Sequence, residues 1–302
     1  MIAPRRRTLL RGAAALFAFS RAASVIARLA PRRIVVLNWE LTETLLALGR
    51  SPVGIPLPAW YRNTIAVPPL PSNVADIGLL YQPNFDALLA LAPDLLIVTP
   101  AHAGLLEPLR RIAPTLTLGA YMTDAHPYAR LRAETCSMAA AVDARVQAEA
   151  LLTATERVLG DVAARMPHGR PVIVADVVDE RHLRLYGAGS LFNDVLSRIG
   201  MSNAANARAR WTTNAMGSAV VPLPRLVDAA EADIVLTRPL APDICAALAA
   251  SPLWRALPAV RAKRVAVLPV IAPYGGLISM QRFATAMADA RATIDNGGGG
   301  LA

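Results

Sequence analysis

Cysteine is nearly absent: Cys136 and Cys245 are the two in 302 residues, far apart in the chain. Such a pair does not make a disulfide framework, and two buried free thiols are the expectation. Histidine is also scarce. His102, His126, His168 and His182 show no metal-ligand spacing, and neither H-E-x-x-H nor C-x-x-C occurs. There is no G-x-S-x-G either, since Ser190 and Ser218 each follow a glycine but lack the second one that a nucleophile elbow needs. No apolar run is long enough to span a bilayer as a stable helix. Only 18% of residues are charged against 54% hydrophobic, which excludes general disorder and leaves ample material for a core.

The formal charge of +9 looks at first like a nucleic-acid signal. Its distribution argues otherwise. Arg5, Arg6, Arg7, Arg11 and Arg21 fall in residues 1–27, which hold no acid, and without them the remainder carries +4. No later basic run is interleaved with aromatics, so nucleic acid is not an expected partner. The leader reads instead as an address. Its Arg pair followed by the apolar run Gly12 to Ser20 matches the twin-arginine export pattern, which a receptor reads and which is normally removed. The expected product is a soluble, exported protein of the periplasm, and no cysteine in the leader offers a lipid anchor.

From Arg32 onward, short β-branched runs alternate with helical segments. Ile34–Leu37 reads as a buried strand and Pro52–Ile55, Asp94–Val98 and Thr115–Leu118 as further strands, with helices at Glu40–Leu48, Phe85–Leu91 and Leu105–Ile112. The Pro-rich stretch Pro56–Pro71 reads as a surface excursion. Such a series builds a parallel sheet covered by helices.

Pro127–Met166 differs in character. It is rich in Ala, Leu, Glu and Arg, with apolar positions such as Met138, Val142, Val146 and Ala150 at helical spacing. One unbroken helix here would run on the order of 50 Å at about 1.5 Å per residue. A second series follows, with strands at Pro171–Val178, Leu183–Tyr186, Ile234–Leu236 and Val265–Leu268 and helices at Leu191–Ile199 and Leu223–Ala230. The expected fold class is therefore α/β, with two Rossmann-like lobes joined by a single long helix. The boundaries are a leader at 1–27, a first lobe at 28–126, the linking helix at 127–167, a second lobe at 168–293 and a flexible Gly-rich tail at 294–302.

Several stretches, in order along residues 32–292, carry a family resemblance. They include Arg33–Trp39 with Glu43–Gly49, Pro68–Pro71, Asp76–Leu79, Gln82–Asn84 leading to Ala92–Leu95, Gly187–Phe192, Ser251–Trp254 and Pro258–Ala262. Together they resemble the periplasmic ferric hydroxamate-binding proteins (FhuD-like), within the helical-backbone class of binding proteins for siderophores, haem and cobalamin. The resemblance implies a ligand cleft between the lobes, a rigid linking helix, and delivery of a ferric siderophore to an inner-membrane ABC permease by a monomeric carrier. It implies no catalysis and no cofactor, iron being carried only inside the chelate. Haem or cobalamin binding, or an exported hydrolase acting on siderophores, are the alternatives.

Carried over residue by residue, the family's pocket is heavily substituted. Its donor arginine falls on Leu80, a pocket tyrosine on His102, and tryptophans on Thr64, Met216 and Ala272; one tyrosine persists as Tyr274. Tyr61, Arg62, Trp60, Trp211 and Tyr81 are candidates to rebuild an aromatic, partly basic wall, and Trp39, which follows a strand, is a further pocket candidate. Tyr274, His102, Tyr81, Trp39, Trp211, Tyr61, Arg62 and Met216 thus form the candidate ligand set. Glu107 matches a first-lobe permease-docking acid. Its second-lobe counterpart falls on Pro224, leaving Asp228 or Glu231 to replace it.

Overall fold

A computed structural model describes residues 30–166, 169–206 and 211–301. The basic leader read above as an export signal, and His168, lie outside the described residues.

The first lobe is a five-stranded, wholly parallel sheet of β1 (Ile34–Val36), β2 (Gly54–Ile55), β3 (Ala75–Asp76), β4 (Leu95–Val98) and β5 (Thr115–Thr117), in the order β3-β2-β1-β4-β5. Its helices are α1 (Trp39–Ala47), α2 (Pro58–Thr64), α3 (Phe85–Leu91) and α4 (Leu106–Ile112). Asn38 and Asn84 start α1 and α3 by accepting hydrogen bonds from Leu41 and Ala87 backbone N–H groups. Alternate residues of β1, with Leu37 just after it, enter different cores: Ile34 and Val36 join the central one, Val35 and Leu37 an outer one. Burial on both faces explains why these strands read as unbroken apolar runs. The Pro-rich excursion is not irregular throughout. Pro58 takes the first position of α2, where its missing N–H costs nothing, and Tyr61 and Ile65 are buried.

The expected single long helix is two helices, α5 (Pro127–Ala141) and α6 (Arg145–Arg165). They break at Asp143, whose φ is 53°, a left-handed conformation that Asp tolerates better than most residues. Arg50 of the first lobe donates to the carbonyls of Val142 (Nε, 3.1 Å) and Asp143 (2.6 Å), satisfying acceptors the break leaves open. The break also rotates the apolar stripe. Met138 and Val142 are buried, yet Val146 is 75% exposed, and α6 buries Ala148, Leu151, Thr155, Leu159 and Val162 instead. At 21 residues α6 spans about 32 Å.

The second sheet holds β6 (Val172–Val177), β7 (His182–Tyr186), β8 (Ser218–Pro222), β9 (Asp233–Leu236) and β10 (Val265–Val267), in the order β10-β9-β6-β7-β8. β10, β9 and β6 are parallel, whereas β7 runs antiparallel to both neighbours. Its helices are α7 (Leu191–Arg198), α8 (Pro242–Ala250), α9 (Pro252–Ala256), α10 (Pro258–Arg261) and α11 (Leu277–Asp295). Leu223–Ala229, expected as an α-helix, is a 3₁₀ segment that opens on the Pro222–Pro224 region.

The lobes share one continuous core. Ile34 and Val36 of the first sheet and Val172 and Val174 of the second belong to it, with Phe192 of α7 stacked on Phe283 of α11 at a 4.1 Å centroid separation. α11 lies along α6, and Gln281 donates to the buried Thr155 hydroxyl at 2.8 Å. Two helices therefore brace the lobes where one was expected. Nor is the Gly-rich tail free: Gly300 N–H donates to the Val265 carbonyl at 2.8 Å and Leu301 packs on the outer core of the second lobe.

Candidate functional site

In α/β sheets, ligands sit beyond the carboxyl ends of parallel strands. In the first lobe, that edge carries Trp39 after β1, Trp60 after β2, Tyr81 after β3, His102 after β4 and Tyr121 after β5. In the second lobe it carries Asp176 at the end of β6, Thr237 and Arg238 after β9, and Tyr274 after β10.

Tyr274 lies at the seam between the lobes. Its carbonyl accepts from the Tyr121 hydroxyl of the first lobe at 2.8 Å, while its ring meets Tyr186 of the second edge-on, 6.3 Å away at 74°. Burial pushes its phenol pKa up; the Ser218 hydroxyl and then the Arg184 charge oppose the rise. The ring stays half-buried. Pro273-Tyr274-Gly275-Gly276 is thus more than a turn, because it presents an aromatic face where the two sheets converge.

The first-lobe wall is aromatic. Trp39 stacks on Trp60 with centroids 6.1 Å apart and planes within 10°, and the Trp39 indole N–H donates to the Pro56 carbonyl at 2.7 Å. That bond fixes the inner ring, while Trp60 stays 60% exposed. Tyr81 is equally exposed and leans on His102 at 5.7 Å.

His102 differs from its expected role. It is 1% exposed; Nδ1 accepts from the Thr99 backbone N–H at 3.1 Å, and Nε2 meets the Leu80 carbonyl at 2.7 Å. An Nδ1 that accepts leaves the proton on Nε2, which donates to Leu80. Both nitrogens are committed, so His102 holds the Leu80–Tyr81 loop rather than reaching for a ligand. Tyr61 is likewise no wall residue. It is wholly buried, with its hydroxyl donating to the Pro68 carbonyl at 2.9 Å, and burial raises its pKa strongly. Arg62 is exposed on α2, and among the described residues its side chain reaches the Pro71 carbonyl, at 3.4 Å. Trp211 packs against the outer core of the second sheet, away from the face that carries Tyr274. Met216 is half-buried in the turn that Asn214 holds before β8. Glu107 is exposed on α4 and pairs with Arg111 at 3.2 Å, and Asp228 lies 3.5 Å from Arg225 Nε.

The polar floor of the second lobe went unread in the sequence. Asp176, Arg184, Tyr186, Ser218 and Thr237 share one face of the sheet, since Asp176 pairs with Arg184 and Tyr186 with Ser218 in register. Asp176 accepts from the Tyr186 hydroxyl at 2.6 Å and from Thr237, with Arg238 Nε at 3.5 Å. The alternation His182-Leu183-Arg184-Leu185-Tyr186 was the available signal: period two puts Arg184 and Tyr186 on one side. Among the described residues, no group of three His, Cys, Asp or Glu side chains could hold a metal ion, and no helix is long and apolar enough to cross a membrane.

The two sheets meet at an aromatic seam, and sequence comparison decides the kinship of this scaffold. The model of the periplasmic binding protein family matches residues 34–272. The chain belongs to that family. It is 32% identical, over 274 residues, to the iron(3+)-hydroxamate-binding protein FhuD of Escherichia coli (strain K12), covering 90% of this chain and 88% of that protein. An achromobactin-binding periplasmic protein of Dickeya dadantii (strain 3937) is 25% identical over 87% of both chains. Among solved structures, the siderophore-binding protein FhuD of Vibrio cholerae, with Fe3+–Desferal bound, superposes with a TM-score of 0.81 at 27% identity, over 87% of this chain and 98% of that one. These relatives are binding proteins.

Proposed function

We propose that this member of the periplasmic binding protein family binds a ferric siderophore between its lobes and delivers it to an inner-membrane ABC permease. The reading is supported most by Tyr274, whose carbonyl takes a hydrogen bond from one lobe while its ring packs on the other. A molecule seated against it touches both lobes at once. The 32% identity to a ferric hydroxamate binder across 90% of the chain supports the same cargo class, against haem and cobalamin. The chain acts as a carrier and not as an enzyme, works as a monomer in the periplasm, and handles iron only as part of the chelate. Glu107 and Asp228 are the proposed docking acids, one per lobe, pairing with permease arginines to orient the encounter.

Intrinsic tryptophan fluorescence, titrated with ferric siderophores, haem and cobalamin, tests the cargo. Trp39 and Trp60 stand in the proposed cleft and Trp254 is buried in the second lobe's outer core. A ferric chelate should therefore quench a large part of the emission and leave a residue from Trp254. A folded protein that responds to none of the chelates sinks the proposal, and one that responds to haem or cobalamin alone moves the cargo class.

A further inference from the structure

The first lobe offers the chelate little positive charge. Trp39, Trp60, Leu80 and Tyr81 are aromatic or apolar, and both His102 nitrogens are committed to the protein. The second lobe is different. Arg184 projects from β7, exposed, on the face that carries Tyr186 and Ser218. Its side chain makes no hydrogen bond or ion pair with any described residue. Asp176, opposite it in register, is already answered by Tyr186, Thr237 and Arg238. Among the described residues of this floor two arginines, Arg184 and Arg238, thus face the one carboxylate of Asp176, while Glu40 of the first lobe adds a negative charge near Tyr274. Arg184 stands close enough to the seam to oppose the rise in the pKa of the Tyr274 and Tyr186 hydroxyls.

Resting on the siderophore reading, we infer that Arg184 is the charged donor to the bound chelate and selects ferric chelates of net negative charge over neutral ones. A guanidinium in a partly desolvated cleft attracts the anionic oxygens around iron and can meet a carboxylate with two parallel N–H bonds. A ferric trihydroxamate centre is neutral, because three hydroxamates cancel the ion. Centres built from α-hydroxycarboxylates or catecholates keep excess negative charge, which the exposed Arg184 guanidinium complements. A rim of aromatic side chains then supplies contact area, and the arginine supplies discrimination.

Fluorescence titrations of the wild type, Arg184→Leu and Arg184→Lys test this with three probes: ferrichrome as the neutral trihydroxamate, ferric citrate with excess citrate, and ferric enterobactin as the tris-catecholate. The expected result is that the wild type binds at least one anionic probe tenfold or more tightly than ferrichrome. Arg184→Leu should then lose that tenfold while its ferrichrome affinity changes less than threefold, and Arg184→Lys should retain part of it. Which anionic probe is preferred separates carboxylate from catecholate oxygens. Arg184 is exposed, so the variants should melt with the wild type, and a shared melting temperature certifies the comparison. Ferrichrome bound as tightly as the anionic probes, or an anionic preference that survives Arg184→Leu, overturns the inference. If no ferric chelate of any charge binds the wild type, it is the siderophore reading itself that has failed.

Discussion

Glu43 on α1 accepts two hydrogen bonds from Ser279 on α11, the backbone N–H on Oε1 at 2.8 Å and the hydroxyl on Oε2 at 2.6 Å. The carboxylate of the first lobe thereby closes the amino end of a 19-residue helix that braces the second. Peptide dipoles at such an end favour negative charge. The glycines of Pro273-Tyr274-Gly275-Gly276 make the approach possible: a Cβ on Gly275 would stand 2.8 Å from Glu43 Oε2, and one on Gly276 3.0 Å from Oε1. The same motif therefore presents Tyr274 to the cleft and admits the latch beneath it.

Burial nevertheless raises the Glu43 pKa from an ordinary 4.5 to about 7, with the Ser279 bonds and Gly276 opposing and nearby Glu40 assisting. A raised folded-state pKa means the native protein holds this proton more tightly than the unfolded chain does. Its stabilising contribution is complete below about 4.5 and is lost as pH rises through about 7. The full effect is on the order of 3 kcal/mol. Between pH 8 and pH 5 the melting temperature should climb by several degrees, at roughly 2–4 °C per kcal/mol for a chain of this size. Glu43→Gln should flatten that slope, and an unchanged slope in the variant would remove Glu43 as its cause.

Tyr274→Ala should weaken ferric chelate binding about tenfold, since it removes the aromatic face at the seam. Its ring is half-buried, so the melting temperature should fall by only a few degrees. The Tyr121 bond goes to the Tyr274 backbone carbonyl and survives the change. Tight binding with a large loss of stability would assign the ring to packing instead.

Legibility in the sequence followed burial and failed where a break carries no marker. β1, β4, β6 and β9 were plain because both faces of their sheets are covered and apolar residues run on without interruption. The interruption between α5 and α6 was not, because Asp143 turns the chain without Gly or Pro, and the capping group, Arg50, lies 93 residues away. β8 was missed because only Ser218 and Val221 of its residues are buried, so the strand has no continuous apolar signal. At the candidate site, family likeness points to Tyr274 in the sequence, and the fold puts it at the seam. His102 passes for a ligand contact in the sequence because its two internal partners, Thr99 and Leu80, are revealed only by the folded loop. Arg184 lies in plain alternation, but the role proposed for it depends on Asp176 being paired with Arg238, a contact between segments that are distant in sequence.

His102→Ala separates a supporting role from direct contact. It strands the Leu80 carbonyl and the Thr99 N–H in a buried region, at a cost of about 1–3 kcal/mol. The expected outcome is a clear fall in melting temperature with a smaller, indirect loss of chelate affinity through the Tyr81 loop. Weakened binding at unchanged stability would restore His102 to the ligand-contact set.

Asp233 opens β9 at 2% exposure and gathers three arginines: Arg291 at 2.6 Å, Arg170 at 2.8 Å and Arg264 at 3.7 Å. These come from α11, from the entry to β6 and from the entry to β10, so one carboxylate ties the final helix to the sheet. Arg291 is itself buried, whereas Arg170 is partly exposed and shares its charge with Asp295. Removing the acid therefore strands a buried guanidinium, and Asp233→Ala should destabilise the protein by about 3–5 kcal/mol in urea unfolding. Arg170→Ala, which leaves the Asp233–Arg291 pair intact, should cost well under half of that. If the penalty of Asp233→Ala arises from the stranded charge rather than from lost attraction, adding Arg291→Met should recover much of it. A double variant as unstable as Asp233→Ala alone would show that the ion pair itself, and not the orphaned arginine, holds α11 in place.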